Sequence, residues 1–364
     1  MVDVLYSLVD VNERFDQLIL DHLYIRHLNM TTMTIKSAFD RIFSINNQVL
    51  SRICENIFPR IHDQVNQLTI DSHSIDRLLT FNYPQLYSLS LVDFQENILL
   101  QYLKGNSNLY NLLSKQITHL YIDIEIKTRK PPLTKILPKI FVLILSLCKR
   151  LIYLNLCASP RYRCLAIHFF KQSSTSCMSS TLTTLNINVE TFDDCLYLLD
   201  ERLNSLLTLI ICVKQLPKLK SFSLASCGKL DKVRSLMMLD LIYPFEHNFF
   251  QVISQDFPFL KELYILNSQR QQNKQHWSTL ITFRHLIFLD LEVAHIDYVE
   301  QFLIDKNTHL PCLLNLIIGY ESLAIVTNNF TNDAARLTCS KLKCLEISEP
   351  FVPPENFHQY FPLL

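Results

Sequence analysis

Pro84-Gln85-Leu86-Tyr87-Ser88-Leu89-Ser90-Leu91 contains the phrase on which the fold turns. Leu86 is followed three residues later by Leu89, and Leu91 comes two residues after that. In an extended chain Leu89 and Leu91 point to one side while Ser88 and Ser90 point to the other. The phrase occurs eleven times. The copies are Val65/Leu68/Ile70, Leu86/Leu89/Leu91, Ile117/Leu120/Ile122, Leu151/Leu154/Leu156, Leu182/Leu185/Ile187 and Leu219/Phe222/Leu224, then Leu236/Leu239/Leu241, Leu260/Leu263/Ile265, Leu286/Leu289/Leu291, Leu313/Leu316/Ile318 and Leu342/Leu345/Ile347. A unit that buries one face and recurs along the chain predicts stacked repeats, each sheltering its neighbour from water.

Proline stands two residues ahead of the first aliphatic at Pro84, Pro217, Pro258 and Pro311. Its fixed φ and missing N–H stop the preceding segment and bias the residue before it to extended geometry, so it punctuates strand entry. The intervening stretches have helical spacing. Thr191 or Asp193 caps a predicted helix over Cys195–Leu203. Ile296–Ile304 sets Val299, Phe302 and Leu303 on one side against Asp297, Glu300 and Asp305 on the other. Phe249, Phe250, Ile253 and Phe257 form a similar stripe, and Ile140–Cys148 reads as a buried helix. Helix and parallel strand in alternation give an α/β class: a curved leucine-rich-repeat solenoid with strands on the concave face and helices on the convex face. First aliphatics fall 21 to 37 residues apart up to Leu219 and 26 to 29 apart from Leu260, with one short step of 17 between Leu219 and Leu236.

Composition narrows the function. The 364 residues are 49% hydrophobic, enough for a long continuous core. Thirty-four basic and 34 acidic residues balance, which leaves no electrostatic footprint for nucleic acid or an anionic membrane. The longest apolar run is nine residues, against about 18–20 for a membrane span, and Asp3 and Asp10 interrupt the opening stretch where a leader would be apolar. Eleven cysteines without a C-x-x-C pair suit small core fillers in a reducing compartment, cytoplasmic or nuclear. Only three glycines, Gly105, Gly228 and Gly319, exclude a phosphate-cradling loop or a nucleophile elbow. None of the 12 histidines forms H-E-x-x-H. No cofactor, metal or catalytic residue is expected. Lys127-Thr128-Arg129-Lys130-Pro131-Pro132 reads as a solvated insertion, with a nuclear-localisation tag as the other reading.

The residues between the buried aliphatics supply the candidate site. Glu262, Asp290, Glu292 and Glu346 gather on late strands, and Tyr121, Tyr153, Asn155, Asn186, Tyr264 and Phe288 hold equivalent positions elsewhere. Tyr and Phe are the side chains that anchor protein interfaces, so the concave sheet is the expected surface for a protein partner. A solvated, partner-facing sheet accounts for the carboxylates better than an acid–base or metal site.

The opening residues depart from the repeat. Leu5, Leu8, Val9, Phe15, Leu18 and Ile19 follow helical spacing, broken by Asp10–Glu13. The order Asp3, Leu5, Leu8, Val11, Asn12, Arg14, Phe15 and then Asp21-His22-Leu23-Tyr24 resembles the late helices of an F-box. With the repeats behind it, the chain is similar to the F-box/leucine-rich-repeat family expanded in some invertebrates. That resemblance implies residues 1–30 as partial F-box-like helices, 31–60 as a connecting helical segment and 61–364 as the solenoid. It also implies a substrate-recognition subunit of a cullin-based ubiquitin ligase, with Leu5, Leu8, Val11 and Phe15 docking on a small adaptor protein. The alternatives are that these four residues cap the first repeat, and that the chain is a scaffold or sensor with no ligase role. The early Leu-Pro-x-Glu helix of an F-box has no counterpart after Met1, and Phe361-Pro362-Leu363-Leu364 repeats the strand-entry phrase and stops.

Overall fold

Pairs of aliphatic residues two apart are buried on consecutive parallel strands, as the phrase predicts. The computed structural model describes residues 7, 11, 12, 14, 16, 17, 25–31, 34, 35, 41, 42, 45–105, 107–124, 135–156, 166–169, 179–191, 194, 203–213, 230–240, 243–273 and 279–364. The chain divides into two units, Met1–Asn186 and Ile187–Leu364.

In the first unit the parallel strands are β1 (His27–Asn29), β2 (Gln67–Asp71), β3 (Ser88–Phe94), β4 (His119–Ile124), β5 (Tyr153–Asn155) and β6 (Thr184–Val189), the last spanning the division. They pair in sequence order, and one row of leucines runs through them: Leu28, Leu68, Leu89, Leu120, Leu154 and Leu185 are register partners. β1 falls within the stretch that the F-box resemblance covers. Ile25, Leu28 and Met30 form one more copy of the phrase, all buried, so the ladder begins ahead of residue 61. Between β1 and β2 the chain is helical over Asn47–Arg52, makes one π-type turn at Ile53–Ile57 and resumes at Phe58–Ile61. Helices Glu96–Lys104, Asn108–Lys115 and Leu137–Leu147 lie between later strands. The last buries Ile140, Phe141, Ile144 and Leu145, as expected of the apolar run there.

The second unit has β7 (Thr208–Val213), β8 (Ser235–Leu239), β9 (Glu262–Leu266), β10 (Phe288–Leu291), β11 (Asn315–Ile318) and β12 (Cys344–Ile347). Its leucine row is Leu209, Leu236, Leu263, Leu289, Leu316 and Leu345. This register corrects the sequence phase in one place. Leu236 is the second aliphatic of its copy, not the first, so the phrase is Val233/Leu236/Met238, all three buried, while Leu239 faces the other way. Leu206/Leu209/Ile211 is a further copy. With both in place the steps are 24 residues from Leu182 to Leu206, then 27 to Val233 and 27 to Leu260, and the anomalous step of 17 disappears. The Leu219/Phe222/Leu224 stretch lies outside the described residues, as do Lys127–Pro132 and most of the predicted helix over 195–203. Just ahead of that predicted helix, Thr191 and Asp194 bond each other reciprocally. The Thr191 N–H donates to Asp194 Oδ2 at 2.9 Å, and the Asp194 N–H donates to Thr191 Oγ1 at 3.3 Å.

A backbone device accompanies the first aliphatic of most copies. The carbonyl of the residue just after that aliphatic accepts two consecutive N–H groups from the next rung. In the first unit Tyr87 O takes Thr118 and His119, Thr118 O takes Ile152 and Tyr153, and Ile152 O takes Thr183 and Thr184. In the second unit Leu207 O takes Arg234 and Ser235, Arg234 O takes Lys261 and Glu262, and Lys261 O takes Ile287 and Phe288. The turn into each strand therefore repeats in backbone as well as in sequence, with its polar groups satisfied by the neighbouring rung.

Helix Ile296–Leu303 buries Val299, Phe302 and Leu303, but it also buries Asp297, which the helical period assigned to solvent. The Asp297 carboxylate accepts the Gln271 N–H at 3.0 Å and has the Arg270 guanidinium at 3.9 Å, both from a neighbouring loop, while its own backbone N–H donates to the N-cap His295 Nδ1 at 3.2 Å. The same loop is clamped through a buried polar chain. Gln271 Nε2 donates to Gln301 Oε1 at 2.6 Å and to Phe245 O at 2.8 Å, and Gln301 Nε2 faces His247 Nδ1 at 3.4 Å. His247 Nε2 is 2.8 Å from Thr279 O, a carbonyl that can only accept, which places a proton on Nε2.

Candidate functional site

The outward positions of the strands fall into cross-strand rows. Adjacent residues in a row are about 4.8 Å apart, close enough for their side chains to touch. In the first unit one row reads Gln67, Ser88, His119, Tyr153, Thr184, and the next Thr69, Ser90, Tyr121, Asn155, Asn186. The predicted residues Tyr121, Tyr153, Asn155 and Asn186 are thus brought together on three successive strands where the phrase placed them, each half-buried. Tyr121 and Tyr153 have ring centroids 4.9 Å apart, and His119 stacks on Tyr153 at 5.9 Å.

Sequence reasoning did not include His119 or Tyr87 in this group. Tyr87 meets the His119 ring edge-on at 5.7 Å and accepts a 2.7 Å hydrogen bond from Gln67 Nε2. The available signal was position: Tyr87 directly follows the first aliphatic of its copy, where the chain enters the strand. Burial holds the His119 imidazole below the usual histidine range and lifts the Tyr121 phenol, the latter helped by Tyr153. The patch is aromatic, polar and uncharged.

In the second unit the rows read Thr208, Ser235, Glu262, Phe288, Asn315, Cys344 and Ile210, Met237, Tyr264, Asp290, Ile317, Glu346. Glu262, Tyr264, Phe288 and Asp290 sit on two neighbouring strands, with Glu292 two residues beyond Asp290 and Glu346 two strands away. The Tyr264 and Phe288 rings are 5.1 Å apart, and Tyr264 OH lies 3.5 Å from Glu262 Oε2. Asp290 is half-buried. Desolvation raises its carboxyl above the ordinary range; a 3.0 Å hydrogen bond from the Glu292 N–H opposes this, and the charges of Glu292 and Glu346 add to it. Burial, and then the charges of Glu262 and Asp290, raise the Tyr264 phenol. At the strand entries the Arg234 guanidinium lies over the Phe259 ring at 5.3 Å, and Phe259 stacks on His285 at 5.3 Å. Ile210, Met237 and Ile317 were not anticipated as surface residues, because an aliphatic at an outward position cannot be told from a buried one by residue type.

At the N-terminus, Leu5, Leu8 and Phe15 lie outside the described residues. Val11 is exposed, and Asp16 forms a 2.8 Å ion pair with Arg60 on the helical segment ahead of β2. Among the described residues no three His, Cys, Asp or Glu side chains are grouped to hold a metal ion, and no helix is long and apolar enough to cross a membrane.

No protein-family model matches the chain, and no curated protein matches it. Among solved structures it is similar to the Rad7 and Elc1 complex in yeast, at 14% identity and a TM-score of 0.34 over 86% of this chain and 84% of that one. It is also similar to an internalin from Listeria monocytogenes, at 16% identity and a TM-score of 0.33 over 90% and 89% of the two chains. At these scores neither likeness bears on what the chain does.

Proposed function

We propose that the chain is a non-enzymatic protein-binding scaffold whose outward sheet rows hold a target protein. The observation that carries this is the pairing of half-buried aromatics across successive strands of each unit, Tyr121 with Tyr153 in the first and Tyr264 with Phe288 in the second, among polar neighbours in the first and acidic and aliphatic ones in the second. Rigid amphipathic rings held in register lose little conformational entropy on binding and bury a large area, the combination that marks interface hot spots. Target proteins cross-linked in cell extract should be lost with the double variants Tyr121→Ala/Tyr153→Ala and Tyr264→Ala/Phe288→Ala. An unchanged set of partners, with melting curves like those of the parent, removes the sheet from the mechanism.

The finer reading, from the F-box-like order at the N-terminus, is that the target is delivered to a cullin-based ubiquitin ligase in the cytoplasm or nucleus, with Leu5, Leu8, Val11 and Phe15 on the small adaptor. Exposure of Val11 supports it. Co-purification with that adaptor tests it: no association of a folded chain leaves a scaffold without a ligase role. The scaffold reading has its own support in the Asp16–Arg60 ion pair, which ties the opening segment back onto the chain that follows.

A further inference from the structure

We infer that the outward sheet face of the second unit takes a cationic protein segment, one that alternates Lys or Arg with apolar side chains. The inference rests on the sheet being a protein-binding surface and names the chemistry of the partner.

The two rows on β7–β12 have a definite charge pattern. Glu262, Asp290 and Glu346 stand on them, Glu292 follows on the same face, and no Lys or Arg occupies any of the twelve register positions. The chain as a whole has equal numbers of acidic and basic residues, so this separation is local. Among the described residues no Lys or Arg pairs with these four carboxylates. The cations nearest in sequence, Arg234, Lys261 and Lys343, sit at the strand entries, one residue ahead of the rows, where Arg234 is engaged with Phe259.

Interleaved with the carboxylates are apolar and aromatic groups: Ile210, Met237, Tyr264, Phe288 and Ile317, all half-buried. A polyanion or an acidic peptide would meet uncompensated repulsion here. A wholly apolar segment would desolvate the carboxylates without pairing them, which is costly. A segment bearing both kinds of side chain satisfies both kinds of group, and its cations relieve the mutual repulsion of Asp290, Glu292 and Glu346.

The test uses the full chain and three labelled twelve-residue peptides, alternating Lys/Leu, Glu/Leu and Ser/Leu, with binding read by fluorescence anisotropy. The Lys/Leu peptide should bind, at least tenfold more tightly than the other two, and lose affinity as salt rises. Glu262→Gln/Asp290→Asn/Glu346→Gln should weaken it at least tenfold. The control Glu321→Gln/Glu349→Gln/Glu355→Gln, which removes three exposed carboxylates elsewhere in the same unit, should leave it within twofold. Retained affinity in the sheet variant, or equal binding of the Ser/Leu or Glu/Leu peptide, overturns the inference. If Tyr264→Ala/Phe288→Ala weakens the peptides while the carboxylate variant does not, the protein-binding surface stands and its cationic preference falls. If neither variant changes any peptide, both fall.

Discussion

The Asp290 carboxylate is disfavoured relative to the acid, because it is desolvated and faces Glu292 and Glu346. Its folded value is raised, so the native state gains stability as pH falls through that value, and at pH 7 the ionised form is a burden. Asp290→Asn should therefore raise the melting temperature at pH 7 while weakening the Lys/Leu peptide, a gain in stability that coincides with a loss of binding. His247 works in the opposite direction. Burial lowers its value, against a smaller opposing effect of its bond to Thr279 O, and its Nδ1 meets the amide N–H of Gln301. A depressed histidine contributes stability that is complete above the unfolded value of about 6.5 and is lost as pH falls below it, because the unfolded chain takes the proton first. His119 has the same sign. Chemical denaturation between pH 7.5 and 5 should show falling stability, with a shallower slope in His247→Gln. Asp290 was legible in the sequence because alternation alone fixes which side of a strand a residue faces. Asp297 was not: helical period pointed it outward, and the groups that make its burial tolerable, the Gln271 N–H and the Arg270 guanidinium, come from a loop the period does not encode.

Among the elements, the strands were the most legible and their phase the least. Leu236 satisfies an i, i+3, i+5 pattern either as first member, with Leu239 and Leu241, or as second, with Val233 and Met238. A shift of three residues reverses the face, and only burial and the paired N–H groups of Arg234 and Ser235 on Leu207 O separate the two phases. Leu206/Leu209/Ile211 was hidden because Leu206–Val213 is apolar at seven of eight positions, which erases the alternation. The rungs also differ in depth. Leu289 is fully buried between β9 and β11, whereas Leu345 on β12 is only half-buried. Leu289→Ala should cost about 2–5 kcal/mol and Leu345→Ala about half of that, read from urea unfolding midpoints. Beyond β11 the chain makes a left-handed turn at Asn328, Asn329 and Phe330, with φ of 48°, 51° and 63°. Asparagine tolerates that region and phenylalanine does not. The turn is held because the Phe330 ring is buried against Phe357, Tyr360 and Phe361, and Asn356 Nδ2 donates to Phe330 O at 2.9 Å. Phe330→Ala should cost about 3–5 kcal/mol and loosen helix Phe357–Tyr360, seen as faster amide exchange there.

Across the whole chain the repeat, its parallel strands and the sheet face that lines up the predicted residues follow from where the aliphatics fall. The identity of the target does not, because it depends on which side chains happen to touch across strands whose spacing in sequence varies from 21 to 40 residues. In each unit the strands keep register while the connections vary in length, so the sheet rows are insulated from what happens in the connecting segments. One connection in the second unit is not insulated in this way. Gln271 reaches Phe245 O on one side and Gln301 on the other, and Gln301 faces His247, so side chains from three successive repeats share one buried hydrogen-bonded chain. Most neighbouring repeats meet through interchangeable leucines; these three meet through a lock fitted to its own key. A chimera that reshuffles the order of those repeats would strand buried amides without partners, and tolerance to module swapping should stop at that trio.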